Sequence, residues 1–339
     1  MIYAEMALTL VLILVAAEVF TNALEHLGER LQISEGVTGS LFAAVGTALP
    51  ESMVPILAVF AGTESKQINE EIGVGAILGA PLMLSTLSIC LMGLSVLRQR
   101  GPGGILTPEK TGLTRDLNVF LIAFGIAAAA LFLPDQPHYF KGLHFALGTT
   151  LVILYFIYVM LTLRVSAKLV EDGHVTEAYT EMFLCRLGLP DNLVIVCLQL
   201  LIGLGLLILG AEGFIHGVEA ASEALQVSAL LLSLLIIPIA TELPEKVNSI
   251  LWIRRRKDTL AFGNITGAMV FQGTILPAIG IMLTPWDLRP QVLLGVALTL
   301  FAALWLRLLL RGAHLRVWHL VMNGLLYVTY LTVVLGYQW

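Results

Sequence analysis

Charge is scarce in this sequence. Only 13% of its residues are Asp, Glu, Lys or Arg, against about a quarter in a soluble globular domain. Hydrophobic residues make up 58% of the chain, and the mean hydropathy of +0.89 excludes an ordinary water-soluble fold. Cysteine is almost missing: Cys90, Cys185 and Cys197 show no CxxC and no Cys/His spacing, so neither a disulfide framework nor a zinc site is suggested. Aspartate is also rare. Asp116, Asp135, Asp172, Asp191, Asp258 and Asp287 are all expected in loops or at helix ends. With no His-Glu-x-x-His and no helical Ser/His or Ser/Lys pair, little is left for an intramembrane hydrolase. No Lys or Arg precedes the first apolar run and no small-residue cleavage site follows it, so that run is expected to remain as a helix rather than leave as a signal peptide.

What the sequence does have is apolar runs long enough to cross a hydrocarbon core of about 30 Å. They lie near 5–24, 37–61, 72–97, 117–133, 143–164, 193–215, 228–252, 261–284, 290–310 and 317–336. The predicted fold is an all-α polytopic membrane protein with ten transmembrane helices. Of 19 lysines and arginines, all but Lys66, Lys141, Arg289 and Lys246 fall in or beside the 25–36, 98–116, 165–192, 253–260 and 311–316 connections. The positive-inside rule makes that side cytoplasmic and puts both termini outside, in a cell (plasma or inner) membrane.

The chain also repeats itself. A constant offset carries Ala17-Glu18 onto Ala211-Glu212, and Phe20, Glu25 and Glu29 onto Phe214, Glu219 and Glu223. The same offset pairs Leu31-Gln32 with Leu225-Gln226, Ser34 with Ser228, Thr47 with Thr241, and Leu49-Pro50-Glu51 with Leu243-Pro244-Glu245. Leu and Ala can match by chance in apolar helices, but four glutamates hardly can. Five helices separate each position from its partner, so the halves enter the membrane in opposite directions. The expected layout is two inverted five-helix repeats: residues 1–164 (helices 1–5), a cytoplasmic connection 165–192, and residues 193–339 (helices 6–10). Secondary transporters are commonly built this way, with the site near the midplane where Gly and Pro break the helices.

Gly46-Thr47-Ala48-Leu49-Pro50-Glu51 and Ala240-Thr241-Glu242-Leu243-Pro244-Glu245 are the chemical centre of the two halves. A carboxylate in hydrocarbon costs about 2.5 kcal/mol or more, and cation binding is the reason expected for two at matching places. Each proline removes one helical hydrogen bond and frees the carbonyl about a turn earlier, near Gly46 or Ala240. Each threonine stands four residues before its glutamate, so Thr47/Glu51 and Thr241/Glu245 present oxygens in one direction, as hard cations require. The bland alternative is a proline kink with an internally hydrogen-bonded glutamate. One helix later come Gly73, Gly75, Gly79 and Pro81 in the first half and Gly263-Asn264-Ile265-Thr266-Gly267 in the second, suited to close packing or local unwinding. Glu25, His26 and Glu29 read as a solvated helix end, whereas Glu18 and Glu212 lie deeper and either touch a water-filled vestibule or are structural. Arg254-Arg255-Arg256-Lys257 reads as a topology anchor or lipid-headgroup contact, not a nucleic-acid site.

These residues resemble the calcium/cation antiporter superfamily, the sodium/calcium exchanger-like membrane proteins. Its two repeats carry Gly-Thr-Ser-x-Pro-Glu followed by Gly-Asn-x-x-Gly-Ser-Asn-x-x-Asn/Asp. The resemblance implies that Glu51 and Glu245 are the central cation ligands, with Thr47 and Thr241 in support. It gives Gly75, Gly79, Gly263, Asn264 and Gly267 the packing and unwinding role. The chain departs from the pattern at several places. Ala48 and Glu242 replace the motif serine, Ala80 and Leu84 stand where oxygen donors are expected, and Gln272 takes the last ligand-like position. Lys246 follows Glu245 directly; it either points toward headgroups or pairs with Glu242 at i, i+4. The skew toward the second half predicts a site shifted to helices 7 and 8, with fewer ions bound, Lys246 covering part of the charge, and coupling to protons.

The resulting expectation is a secondary active transporter, not an enzyme, exchanging Ca2+ or Na+ against Na+ or H+ by alternating access. The candidate cation ligands are Glu51, Glu245, Thr47, Thr241, Glu242, Gln272 and Asn264. No cofactor is expected beyond the transported cations. Its partners are inorganic cations and membrane lipids. The alternative is a diverged relative that moves another solute or lacks transport.

Overall fold

The computed structural model describes residues 2–30, 49–61, 66–133, 138–171, 180–225, 228–312 and 314–336. The described chain is almost wholly helical. In order, α1 is Ile2–Arg30, α2 Leu49–Ala61 and α3 Lys66–Met83, which continues through a π-helical turn, Leu84–Ser88, into α4, Ile89–Arg100. Next come α5 (Lys110–Ala130), α6 (His138–Glu171), the short α7 (Phe183–Arg186) and α8 (Leu193–Leu225). Then follow α9 (Ala229–Thr241), α10 (Leu243–Arg254), α11 (Asp258–Leu283), α12 (Pro290–Leu309) and α13 (Val317–Gly336). The expectation of an all-α chain needs one small correction. Strand β1 (Ile105–Leu106) pairs antiparallel with β2 (Leu315–Arg316) and ties two interhelical loops together.

Among the described residues, seven helices are long and apolar enough to cross a membrane: 66–100, 110–130, 142–164, 193–225, 258–283, 290–309 and 317–336. The protein is an integral membrane protein. Burial separates the inner helices from the outer ones: 89% of the apolar window of α3–α4 is buried, but only 22% of that of α6. Phe145, Ile153, Phe156 and Ile157 leave α6 exposed and apolar, the surface a lipid-facing helix presents.

Glycine sets the closest approaches. A Cβ at Gly79 would lie 2.4 Å from the Leu234 carbonyl oxygen, and one at Gly75 would meet Ser233 and the Leu230 carbonyl, so α3 and α9 cross backbone to backbone. Phe20, Ile13, Thr9 and Met6 of α1 close over Gly203, Gly210, Gly213 and Gly217 of α8 in the same manner. Gly263 differs from its expected role, since nothing described lies within 4 Å of where its Cβ would be. The two central helices are clad reciprocally. α11 packs against α5 and α6, while the α3, π-turn and α4 rod packs against α12 and α13.

Loops expected on one face do meet there. The Arg100 guanidinium donates two hydrogen bonds to Asp258, at 2.9 and 2.8 Å, and a third to the Ile253 carbonyl, while Thr107 N–H donates to Asp258 at 2.9 Å. Lys110 reaches the Gly312 carbonyl at 3.3 Å. The 180–192 segment docks on the end of α1: Asn22 donates to Thr180, His26 Nε2 lies 2.9 Å from the Thr180 carbonyl, and Arg30 pairs with Asp191. At the opposite end Arg289 pairs with Glu71 at 2.9 Å. Asp116, expected at a helix end, instead lies inside α5 and is buried. It accepts from the Thr266 hydroxyl at 2.9 Å and pairs with Arg115 at 3.2 Å, joining α5 to α11.

Candidate functional site

The second motif is where the chain breaks its own helix. Expected as one run over 228–252, it forms two helices joined at Glu242, whose φ of −82° and ψ of 9° leave the α region. Ser228 starts the first by accepting from Leu231 N–H at 3.2 Å, and Pro244 in the first turn of α10 suits a helix start because that N–H would be unpaired anyway. With no N–H at Pro244, the Ala240 carbonyl one turn earlier loses its helical donor. Thr241 is the last residue of α9 and Glu245 stands in the first turn of α10, where a negative charge is favoured by the helix dipole. Glu51 occupies the same place in α2, two residues after Leu49. Thr47 lies outside the described residues.

Glu242 is fully buried, and one turn on, at 5% exposure, Lys246 lies beside it. Lys246 Nζ lies 3.3 Å from Glu242 Oε2, donates to the Pro238 carbonyl at 3.0 Å, and meets the Met83 sulfur at 3.0 Å. Of the two positions open to Lys246 from sequence, the pair with Glu242 is the one adopted. Tyr327 of α13 stands within electrostatic range of Glu242 and packs in one cluster with Met83 and Tyr330. The Glu242–Lys246 pair is therefore enclosed by α3, α9 and α13.

Asn264 and Gln272 are both buried in α11. The Asn264 amide donates to Ser249 Oγ at 3.0 Å, which links α11 to α10. Gln272 has no exposure, and among the described residues neither of its amide atoms meets a hydrogen-bonding partner. A buried amide without a protein partner costs about 1–3 kcal/mol, so its place is not explained by packing. On the first-half side, Ala80 and Leu84 are buried and apolar. The π turn that begins at Leu84 follows Pro81, and its Ser85 carbonyl accepts from the Asn323 amide of α13 at 2.7 Å. Such turns widen a helix and often stand at functional positions.

Glu18 and Glu212 are exposed on α1 and α8. His26 and Glu29 lie 3.7 Å apart at the polar end of α1. Met83, Asn323 and Tyr327 were not singled out from sequence. Asn323 carried a usable signal, a lone carboxamide in an apolar run; Met83 and Tyr327 carried none, because both are ordinary core residues.

The profile of the sodium/calcium exchanger protein family matches residues 2–164 and 195–336. The chain is 26% identical to the putative antiporter CaxA of Alkalimonas amylolytica, over 81% of this chain and 79% of that protein. In fold it is similar to the crystal structure of the H+/Ca2+ exchanger CAX (TM-score 0.73, 19% identity, 97% of this chain and 81% of that one). It is also similar to the sodium-calcium exchanger NCX_Mj (TM-score 0.62, 20% identity, 98% of this chain and 99% of that one). A profile matching both halves of the chain, with motif residues at a helix break inside a membrane bundle, places this protein in the sodium/calcium exchanger family of the calcium/cation antiporter superfamily, a family of exchangers and not of enzymes.

Proposed function

We propose that the protein is a secondary active antiporter that exchanges Ca2+ or Na+ against Na+ or H+ by alternating access. Ten spanning helices form two inverted halves, residues 1–164 and 193–339, joined by the 165–192 connection. α9 and α10 together make one broken span, and α2 stands at the matching place of the first half. Glu51 and Glu245 are the central ligands, Thr47 and Thr241 support them, and Glu242, Asn264 and Gln272 line the same region.

The observation that carries this reading is the helix break at Glu242, which sets Thr241 at one helix end and Glu245 at the start of the next. A broken helix in a bundle supplies what a dehydrated cation needs, namely a carboxylate, a hydroxyl and a carbonyl without a helical donor. The reciprocal cladding of α11 by α5–α6 and of α3–α4 by α12–α13 supports two halves related by an in-plane pseudo-twofold axis. The relatives named as H+/Ca2+ and sodium-calcium exchangers support the cargo class.

Buried Ala80 and Leu84 favour a reduced ion set over three-sodium/calcium exchange, since calcium prefers six to eight oxygens. The test is flux in proteoliposomes under imposed calcium, sodium, potassium and proton gradients. Calcium or sodium uptake should follow an opposing sodium or proton gradient and vanish when that gradient is dissipated. Absence of any gradient-driven cation flux overturns the reading and leaves a diverged relative that moves another solute or none.

A further inference from the structure

We infer that Lys246 is a resident counter-cation: its ammonium fills a monovalent-cation position of the transport site, so that the site carries one mobile cation fewer. The inference rests on the proposed role of Glu51 and Glu245 and specifies the charge of the cargo.

The ammonium is held as a bound cation would be. Two of its N–H donors are taken by the Pro238 carbonyl and the Met83 thioether, both at 3.0 Å, and the charge is paired by the Glu242 carboxylate at 3.3 Å. Those groups come from the helix break, the end of α9 and the end of α3, and the close contacts of Gly75 and Gly79 hold α3 against α9. A lysine needed only for packing, or as an anchor to headgroups, would extend its stem and put its charge in water. This one is 5% exposed.

Charge counting gives the consequence. Glu51, Glu242 and Glu245 together carry three negative charges, and Lys246 leaves two. A site of that charge is balanced by one divalent cation or by two monovalent ones. Without the lysine it would demand one more positive charge.

The experiment measures thermal stability of purified full-length protein against sodium chloride, with choline chloride holding the ionic strength. By linkage, the slope of stability against the logarithm of sodium concentration counts the ions taken up by the folded state. Wild type, K246M and the double variant E242Q with K246M are compared. The inference expects the K246M slope to exceed wild type by about one sodium ion, and the double variant to return to the wild-type slope. Equal slopes in wild type and K246M overturn it. If K246M is recovered unfolded in choline, sodium must restore it; a variant that stays unfolded in sodium also overturns the inference. Failure of the parent reading looks different. There, wild type itself shows no stabilisation by sodium or calcium, and E51Q changes nothing.

Discussion

Lys246 Nζ lies 3.3 Å from Glu242 Oε2 across the break between α9 and α10, and the two side chains are 5% and 0% exposed. An ion pair so enclosed is expensive to halve and cheap to remove whole. Taking away one partner leaves an uncompensated buried charge, at about 3–5 kcal/mol, whereas replacing both by neutral groups of similar volume is often neutral. In salt-free detergent buffer, K246M and E242Q should each lower the thermal midpoint markedly, and the double variant should recover most of the loss. Additive losses would mean that the two side chains act separately.

Replacing Glu51 or Glu245 by Gln should abolish exchange while leaving the protein inserted and monodisperse. The amide keeps the shape and removes the charge that offsets cation dehydration, so transport should fall by at least two orders of magnitude, about 3 kcal/mol. Radioactive calcium or sodium uptake into proteoliposomes, with size-exclusion profiles as the folding control, decides it. Flux within a few-fold of wild type in either variant removes that glutamate from the site.

How much of this was readable beforehand depends on the kind of residue. Loop pairing was legible because Lys and Arg accumulate on one side: the 98–116, 253–260 and 311–316 connections do meet, through Arg100–Asp258 and Lys110–Gly312. That the Thr241 to Glu245 stretch sits oddly in an apolar run was legible from the cost of a charge in hydrocarbon. The break itself was not, since Pro244 can either kink a continuous helix or begin a new one, and apolar periodicity is the same in both cases. Lys246 had two possible positions because its long stem reaches either water or an acceptor one turn back; only packing by Met83 and Pro238 chooses. Asp116 ends a polar stretch, Lys110 to Asp116, that reads as loop by composition, although Glu109 caps it and the Thr266 hydroxyl donates to its buried end. Gly263 shows the converse, a motif glycine with no close contact among the described residues.

Glu109 supplies a pH-dependent test outside the spanning segments. Its carboxylate caps α5, accepting from Thr111 N–H at 2.6 Å and Gly112 N–H at 2.5 Å. Partial burial pushes this carboxyl up, but the Gly112 and Thr111 hydrogen bonds and the Arg115 charge outweigh it and hold it below its ordinary value. A carboxyl lowered on folding contributes its stability above the ordinary pKa, and the contribution is lost as pH falls through the lowered folded value. The side chain is mostly exposed, so the expected effect is about 1 kcal/mol or less. E109Q should lower the thermal midpoint slightly at pH 7 and converge with wild type in acid. A constant offset down to pH 3, below the usual carboxylate range, would show that capping charge is not the cause.

Gly79 tests whether the α3–α9 crossing matters to transport. A Cβ there would sit 2.4 Å from the Leu234 carbonyl oxygen and 2.8 Å from the Pro238 ring, and the first of these is backbone that cannot rotate aside. G79A therefore has to push the helices apart, at about 1–3 kcal/mol as for other overpacked sites. The displacement falls on Pro238, whose carbonyl holds Lys246. Gly125 of α5 is the matched control, because nothing described lies within 4 Å of its Cβ position and alanine there favours the helix. Expected is a lower thermal midpoint and impaired exchange for G79A, with G125A equal to or slightly more stable than wild type. If G79A transports normally at a lowered midpoint, the crossing holds the bundle together without setting the site. If G79A matches G125A in both measurements, α3 and α9 do not approach as closely in the membrane as this crossing requires.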